Sequence, residues 1–231
     1  MKTKSTLIIT LLSILCLPLT ALACTDPVVL VHGNTASPSS WENTYNYLLN
    51  KGYSPSDIYR PNWGSKSCAA CNNHSGSEET PVRQALTDAL ASSCSGQIDV
   101  IGHSMGATLA AQQIDKLAIA ANVDSFVGIA GAFRGLRSCG IYPFNIWSST
   151  CGVNGLSIQS PFLDSIYGQP FANRTYSIKS YIDQVVCLGG LCTVGGIHSS
   201  QIWNEDASYT YALGHFGLQS DTAAKQYDLI K

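Results

Sequence analysis

The sequence predicts an α/β fold in which helices cover both faces of a mostly parallel sheet. Short apolar runs alternate with segments whose apolar residues recur at helical spacing, so strands and helices are expected to alternate. The run that ends at Val31 is apolar at nearly every position, which is typical of a parallel strand buried on both sides. No internal repeat or linker interrupts this order, so residues 24–231 are expected to form one domain.

Residues 1–23 have the pattern of an export signal. Two lysines and an apolar segment precede Ala21-Leu22-Ala23, which is a typical cleavage site. Cleavage after Ala23 predicts a secreted protein, either periplasmic or extracellular. A lipoprotein signal, with a lipid on Cys24, is the weaker interpretation because position 21 is not a larger aliphatic residue. No later segment is apolar enough to span a bilayer.

The composition excludes several classes of partner. The net charge is −2 and only 12% of residues are charged, so the sequence predicts neither a nucleic-acid surface nor a polybasic membrane anchor. The five histidines have no metal-ligand spacing, and we expect no metal or other cofactor. We expect a monomer.

The first half of the chain predicts two strands and two helices. Residues 26–31 form a run that is continuously apolar after Asp26, and residues 58–63 favour a short strand. A helix is predicted between them, because Pro38 stands at a typical helix start and Gly52 at a typical end. Pro81 lies near the start of the next helix, after a polar loop.

The second half continues the alternation. Its predicted elements are a strand from Ile98, a helix at 107–117, strands at 125–129, 174–180 and 209–213, and a closing helix at 220–230. Residues 131–170 break the pattern, because they are rich in glycine, serine and apolar residues without clear periodicity. We expect this insert to be either a surface loop or an apolar wall over the functional site. Its apolar residues that we expect to be exposed are Phe133, Ile141, Tyr142, Phe144, Ile146, Trp147, Phe162 and Leu163.

A serine stands where the strand from Ile98 meets the following helix. The sequence there is Gly102-His103-Ser104-Met105-Gly106. Gly-x-Ser-x-Gly between a strand and a helix predicts a sharp turn that projects the serine hydroxyl, and the glycines are needed because side chains would collide with the packed neighbours. Ser104 is therefore the candidate nucleophile.

A serine hydroxyl needs a histidine to remove its proton and a carboxylate to orient that histidine. After such a turn the expected chain order is serine, acid, histidine. Only His198 and His215 come late enough. His215 is favoured because it follows the last predicted strand and directly precedes the closing helix, whereas His198 lies in a glycine-rich loop.

The favoured acid is Asp183, which lies three residues after a predicted strand ends at Ser180. A loop carboxylate at this position can reach the histidine. The alternatives are Asp164 in the insert, Asp206 near the start of the last strand, and Asp221.

Two backbone N–H groups are needed to bind the oxyanion of the tetrahedral intermediate. Met105, directly after the nucleophile, and Asn34, after the first strand, are the predicted donors. His32 and His103 are expected to have structural roles and to bond within their own loops.

Eight of the nine cysteines remain after signal cleavage, which predicts disulfides in an exported protein. Proximity along the chain favours the pairs Cys68–Cys71, Cys139–Cys151 and Cys187–Cys192, which leaves Cys24–Cys94. The last pair would join two neighbouring strands at the end away from Ser104. A redox role for Cys68 and Cys71 is disfavoured, because their Cys-x-x-Cys sequence lies in a polar loop.

Several segments together resemble a known family. They are Val31-His32-Gly33, Gly102-His103-Ser104-Met105-Gly106, Ser160-Pro161-Phe162-Leu163, Asp183 and Gly214-His215-Phe216-Gly217-Leu218. Over almost the whole mature chain the sequence resembles the class 2 lipases, small secreted bacterial enzymes that include the minimal Bacillus-type lipases. The resemblance implies the α/β-hydrolase fold, a triad of Ser104, Asp183 and His215, oxyanion donors at Asn34 and Met105, and activity on carboxylic esters. The eight cysteines and the insert depart from the minimal lipases.

The sequence as a whole predicts a secreted serine hydrolase with an ester or lipid substrate. A triacylglycerol lipase is favoured, because the aromatic residues of the insert suit an acyl pocket or contact with a lipid interface. A short-chain or polyester esterase, or an acyltransferase, is the alternative enzyme. An inactive secreted binding module of the same fold is disfavoured by the intact serine, acid and histidine.

Overall fold

The structure is a computed structural model that describes residues 24–231. The predicted export signal at residues 1–23 lies outside the described residues. The strands are β1 (Val28–Val31), β2 (Ile58–Tyr59), β3 (Ile98–His103), β4 (Val123–Ile129), β5 (Leu136–Ile141), β6 (Ser157–Ile158), β7 (Arg174–Lys179), β8 (Thr193–Val194), β9 (Ile197–His198) and β10 (Ala207–Thr210). The helices are α1 (Glu42–Asn50), α2 (Glu79–Ser92), α3 (Met105–Leu117), α4 (Pro161–Ile166), α5 (His215–Ser220) and α6 (Ala223–Ile230).

Six parallel strands form the central sheet in the order β10, β7, β4, β3, β1, β2. Successive residues of β1 enter different apolar clusters, because side chains alternate across a strand. Val29 and Val31 pack in the cluster that includes residues of α2 and α3, whereas Val28 and Leu30 pack in the one that includes residues of α1 and α6. The predicted fold class, a mostly parallel sheet with helices on both faces, is confirmed.

The end of the chain differs from the prediction. The last strand is Ala207–Thr210, not 209–213, because it is an edge strand whose position is set by pairing with β7 rather than by an apolar run. The closing helix, predicted at 220–230, is α6 at Ala223–Ile230, so it begins three residues later than predicted. A separate helix, α5, precedes it, and between the two the Thr222 hydroxyl donates to the carbonyl oxygen of Leu218.

The insert at 131–170 contains short elements that periodicity does not reveal. β5 pairs with β6 in a small parallel sheet, and α4 begins at a proline after Ser160, whose side chain accepts a hydrogen bond from the Leu163 N–H. The expectation that Phe133, Phe162 and Leu163 are exposed is wrong, because all three are buried in the core. The β8–β9 hairpin was also not predicted.

Four disulfides join Cys24 to Cys94, Cys68 to Cys71, Cys139 to Cys151, and Cys187 to Cys192. These are the pairs that the sequence analysis favours. Between residues 24 and 231, no helix has the length and apolar character needed to cross a membrane.

Candidate active site

Ser104 lies on a strained turn between β3 and α3. Its backbone has φ 54° and ψ −131°, a conformation that side-chain-bearing residues rarely adopt. A Cβ on Gly102 would lie 2.4 Å from Cα of Ala107, and a Cβ on Gly106 would lie 2.1 Å from the carbonyl oxygen of His32. Both positions therefore require glycine for the turn to pack against its neighbours.

His215 is hydrogen-bonded to Asp183. The distance between His215 Nδ1 and Asp183 Oδ2 is 2.8 Å, and both residues are buried. The other carboxylate oxygen of Asp183 accepts from the N–H groups of Val185 and Val186. Burial by itself would raise the pKa of Asp183, but the bond to His215 and the two N–H donors outweigh it, so its pKa lies below the usual value. The carboxylate is therefore suited to hold one tautomer of His215.

Two further side chains hold the backbone of His215. His103 Nε2 donates to the carbonyl oxygen of His215 at 3.0 Å, and Gln184 Oε1 accepts from the His215 N–H at 2.9 Å. Burial and the nearby His215 lower the pKa of His103 to about 3, so its ring is neutral. The expectation that His103 bonds within its own loop is wrong, because its ring faces the loop that carries His215.

Ser104 and His215 both follow strands at the carboxyl edge of the sheet. Ser104 directly follows His103, whose ring centroid is 4.7 Å from that of His215. Within residues 24–231, Ser104 Oγ makes no hydrogen bond to His215, whose Nδ1 is bonded to Asp183. Such bonds are often long in unliganded enzymes and shorten with substrate. The arrangement thus has the acid–histidine bond in place, and Ser104 is the chain neighbour of the histidine whose ring contacts His215.

The loop after β1 passes next to the candidate nucleophile. A Cβ on Gly33 would lie 3.1 Å from Cβ of Ser104, and the turn is closed by a bond from the Ala36 N–H to the Gly33 carbonyl oxygen. Asn34 lies in this turn. Met105 is the first residue of α3, where backbone N–H groups have no partner within the helix. The structure therefore brings both predicted oxyanion residues close to Ser104.

The side chain of Asn34 is fixed by the loop that contains the Cys68–Cys71 disulfide. Asn34 Oδ1 accepts from Asn72 Nδ2 at 2.6 Å, and Asn34 Nδ2 donates to the carbonyl oxygen of Ala69 at 2.8 Å. Asn72 is buried and also accepts from the Ser65 N–H. Neither Asn72 nor Gln184 is predicted from the sequence, because their partners are 38 and 31 residues away and no motif links them.

His32 lies below the same turn. Its Nδ1 bonds to the Gly33 carbonyl oxygen, as expected for a bond within its own loop, and its ring stacks on Trp63. Burial, against the bond to Gly33 and with a smaller contribution from nearby Lys66, lowers the pKa of His32 to about 4. The neutral ring therefore supports the turn.

The alternative residues have other partners. His198 Nε2 donates to the carbonyl oxygen of Ser180, Asp206 accepts from the Thr175 N–H, Asp221 accepts from the Ser220 hydroxyl, and Asp164 lies in α4. None of them hydrogen-bonds to His215 in the part of the chain that the structure describes.

One cluster has the residue types of a metal site. Ligand atoms of Cys187, Cys192 and His198 lie within 4.8 Å of one another. The two cysteines are joined in a disulfide, so neither offers the thiolate that a metal needs.

The insert also lines a cavity of about 410 Å³. Its wall includes Phe133, Arg134, Leu163, Tyr167 and Trp203. Ser104, Asp183 and His215 do not line it, so the expectation that the insert walls the functional site stays a prediction.

A model of the class 2 lipases, described as lipase (class 2), matches residues 25–228. The chain belongs to this family. No curated protein sequence matches this class 2 lipase. Its fold is similar to that of a Bacillus licheniformis lipase, BlEst2 in mature form, with a TM-score of 0.59, 13% identity and coverage of 93% of this chain and 96% of that one.

Two other solved structures have the same fold as this class 2 lipase. For lipase B of Aspergillus fumigatus the TM-score is 0.59 at 17% identity, and the match covers 84% of this chain but only 49% of that one, so the present chain spans about half of that enzyme. For a monoacylglycerol lipase of Paleococcus ferrophilus the TM-score is 0.56 at 10% identity, with coverage of 90% and 96%. At these identities the likeness shows the α/β-hydrolase fold alone.

Proposed function

We propose that this class 2 lipase is a secreted serine ester hydrolase that cleaves acylglycerols through a covalent acyl-enzyme. The family supports a lipase or esterase activity. The observation that carries the finer proposal is the buried 2.8 Å bond between Asp183 and His215, beside a serine on a strained strand-to-helix turn. This is the arrangement that serine hydrolases need.

The reaction begins when Ser104 Oγ attacks the acyl carbonyl carbon and His215 Nε2 accepts the hydroxyl proton. The bond to the alcohol then breaks, and His215 gives this proton to the leaving alcohol. Water attacks the resulting Ser104 ester, again with His215 as base, and the acid leaves as the proton returns to Ser104. Asp183 remains ionised throughout and orients His215 through Nδ1.

The backbone N–H groups of Asn34 and Met105 donate to the oxyanion in both tetrahedral intermediates. Each such donor is worth about 3 kcal/mol of transition-state stabilisation. Because the donor of Asn34 is its main chain, its side chain serves instead to hold the turn through Asn72 and Ala69.

Export of the protein after cleavage near Ala23 is part of the proposal. The four disulfides support it, because disulfides persist in oxidising compartments outside the cytoplasm.

The nucleophile is tested with Ser104→Ala. We expect this variant to lose covalent labelling by an organophosphonate, measured by intact mass, and to lower ester turnover at least about a thousandfold. Ser95→Ala, which alters an exposed serine three residues before β3 begins, is the matched control and should behave like the wild type. Retained labelling or turnover in Ser104→Ala would refute the mechanism, and an unlabelled, inactive wild type would favour the binding-module alternative.

The substrate class is tested with p-nitrophenyl esters of increasing chain length and an emulsified triglyceride. We expect hydrolysis of the emulsion and of long-chain esters. Activity restricted to short soluble esters would instead support the esterase alternative.

A further inference from the structure

The loop between Cys139 and Cys151 exposes large apolar side chains to solvent. Trp147 is 99% exposed and Phe144 is 92% exposed, and Ile141 and Ile146 are also exposed. We call residues 140–150 the aromatic loop. Fully exposed aromatic rings are unfavourable in water, and clustered exposed apolar residues typically mark a binding surface.

The aromatic loop is held in this exposed form by bonds at its base. The Cys139–Cys151 disulfide joins its two ends, and the Ile146 N–H donates to the carbonyl oxygen of Cys139. Asn145 Nδ2 donates to the carbonyl oxygens of Cys151 and Ile146. These bonds fix the backbone around both aromatic residues, so little conformational entropy is lost when their rings are buried against a partner.

The segment that contains the aromatic loop carries no charge. Residues 138–163 contain no aspartate, glutamate, lysine, arginine or histidine, and the Nε of Arg137, which directly precedes them, donates to the carbonyl oxygen of Thr193. The neighbouring loop at 65–72 has one charged residue, Lys66, whose ammonium bonds to the Trp63 carbonyl oxygen and to His32. Attraction to anionic lipid needs a cluster of basic residues, whereas tryptophan and phenylalanine favour the boundary between water and an apolar phase irrespective of charge.

The aromatic loop also lies beside the candidate active site. The Thr150 hydroxyl and the Asn34 side-chain amide both donate to the same carbonyl oxygen, that of Ala69. Thr150 also donates to the carbonyl oxygen of Asn72, the residue that holds Asn34. One residue therefore connects the base of the aromatic loop to the predicted oxyanion turn.

We propose that the aromatic loop docks the protein on an uncharged lipid–water interface, with Trp147 and Phe144 entering the apolar phase. Docking would bring the turn that contains Asn34, and with it Ser104, close to lipid esters, an advantage that rests on the proposed function. The docking itself requires no hydrolysis and is tested separately from it.

The experiment uses mature Ser104→Ala protein, which leaves lipid intact, with phosphatidylcholine vesicles and triglyceride emulsion. Binding is measured by co-flotation and by tryptophan emission. Trp147 is the reporter, because Trp41 and Trp63 are buried and Trp203 is partly buried. We expect a blue shift, protection from acrylamide, and a lipid affinity that does not fall with salt or need phosphatidylglycerol.

The test variant is Phe144→Ser/Trp147→Ser, and the matched control is Leu188→Ser/Leu191→Ser, which alters two exposed leucines in the loop of the Cys187–Cys192 disulfide. The test variant should bind at least about tenfold more weakly, since burying each ring is worth more than a factor of ten. The control should change binding by about twofold or less.

In the wild-type background, the test variant should hydrolyse a soluble p-nitrophenyl ester at the normal rate, which shows that its fold is intact. Absence of binding, equal loss in both variants, or binding that requires anionic lipid would overturn the proposal. If Ser104 proves not to be the nucleophile while the aromatic loop still binds lipid, the proposed function fails and the docking surface remains.

Discussion

His103 connects the turn of the candidate nucleophile to the loop of the candidate base. Its Nε2 is the donor to the His215 carbonyl oxygen, and among the described residues its buried Nδ1 has no partner. Because the ring is neutral, it can donate without adding a positive charge next to His215. His103 is therefore expected to act as a positioning residue.

We expect His103→Ala to lower kcat about tenfold or more with little change in KM, since the His215 backbone loses a donor while substrate contacts are kept. His103→Gln should recover part of kcat, because its amide can replace the Nε2 donor. Steady-state kinetics on a soluble ester measures both effects. His74→Ala is the control, since His74 is also buried and neutral but contacts Thr108 and Phe162. An equal kcat loss in that control would contradict the positioning role.

Asp99 is a buried carboxyl at the other end of β3. One oxygen accepts from the Ser125 N–H, and the other has no partner among the described residues. Burial, reinforced by the nearby Asp124 and Asp26, raises the pKa of Asp99 to about 8. The folded protein therefore binds this proton more tightly than the unfolded chain, so stability is greatest below the unfolded pKa and is lost as pH rises through about 8.

Asp99→Asn should remove this loss. At pH 9 we expect the variant to melt at least about 5 °C above the wild type, because the wild type must bury a charge. At pH 5 the difference should largely disappear. Thermal unfolding followed by circular dichroism measures both, with the exposed Asp88→Asn as control. A constant difference at all pH values would show that the effect is not titration of Asp99.

At the scale of elements, the disulfides divide into those near the candidate site and one far from it. Cys24–Cys94 joins the chain before β1 to the chain before β3, at the edge opposite Ser104. Cys187–Cys192 instead closes the loop of Asp183, and the Cys187 N–H donates to the Asp183 carbonyl oxygen. The first should contribute to stability alone, and the second also to activity.

We expect Cys24→Ala/Cys94→Ala to lower the free energy of unfolding by roughly 4 kcal/mol with kcat unchanged. The disulfide that this variant lacks closes a long loop, with a sequence separation of 70 residues. The Cys187–Cys192 disulfide closes only a short loop, so Cys187→Ala/Cys192→Ala should lower the free energy of unfolding by only about 2 kcal/mol. This variant should nevertheless lower kcat, because the loop carries Asp183. Urea unfolding and ester turnover at a temperature where all forms are folded test this. A lower kcat in Cys24→Ala/Cys94→Ala, or an unchanged kcat in Cys187→Ala/Cys192→Ala, would contradict these roles of the two disulfides.

Over the whole molecule, the sequence predicts the sheet best where strands are buried on both faces. Apart from Asp26 and Ser125 at their first positions, residues 26–31 and 125–129 are apolar, and both predicted runs overlap strands of the sheet, β1 and β4. The edge strand β10 and the two strands of the insert, β5 and β6, carry no such pattern, because their positions depend on pairing with other strands. Local periodicity cannot report partners that are far along the chain.

The same limit applies to the candidate site. Ser104 is marked by a local motif whose glycines meet a steric requirement. The expected order of serine, acid and histidine along the chain favours Asp183 and His215, and these two residues are hydrogen-bonded in the structure. Gln184 and Asn72 act only through contacts that the fold creates. His103 lies within the motif, but its bond to another loop has no sequence signal.

All eight cysteines of residues 24–231 are paired. The ninth, Cys16, lies in the segment that the export signal is expected to carry away. Removal of this segment would leave an even set of sulfurs and take away the one cysteine that could compete for a native partner during oxidation. Signal cleavage would then serve folding fidelity as well as transport, because it decides how many thiols enter the search for the correct pairs.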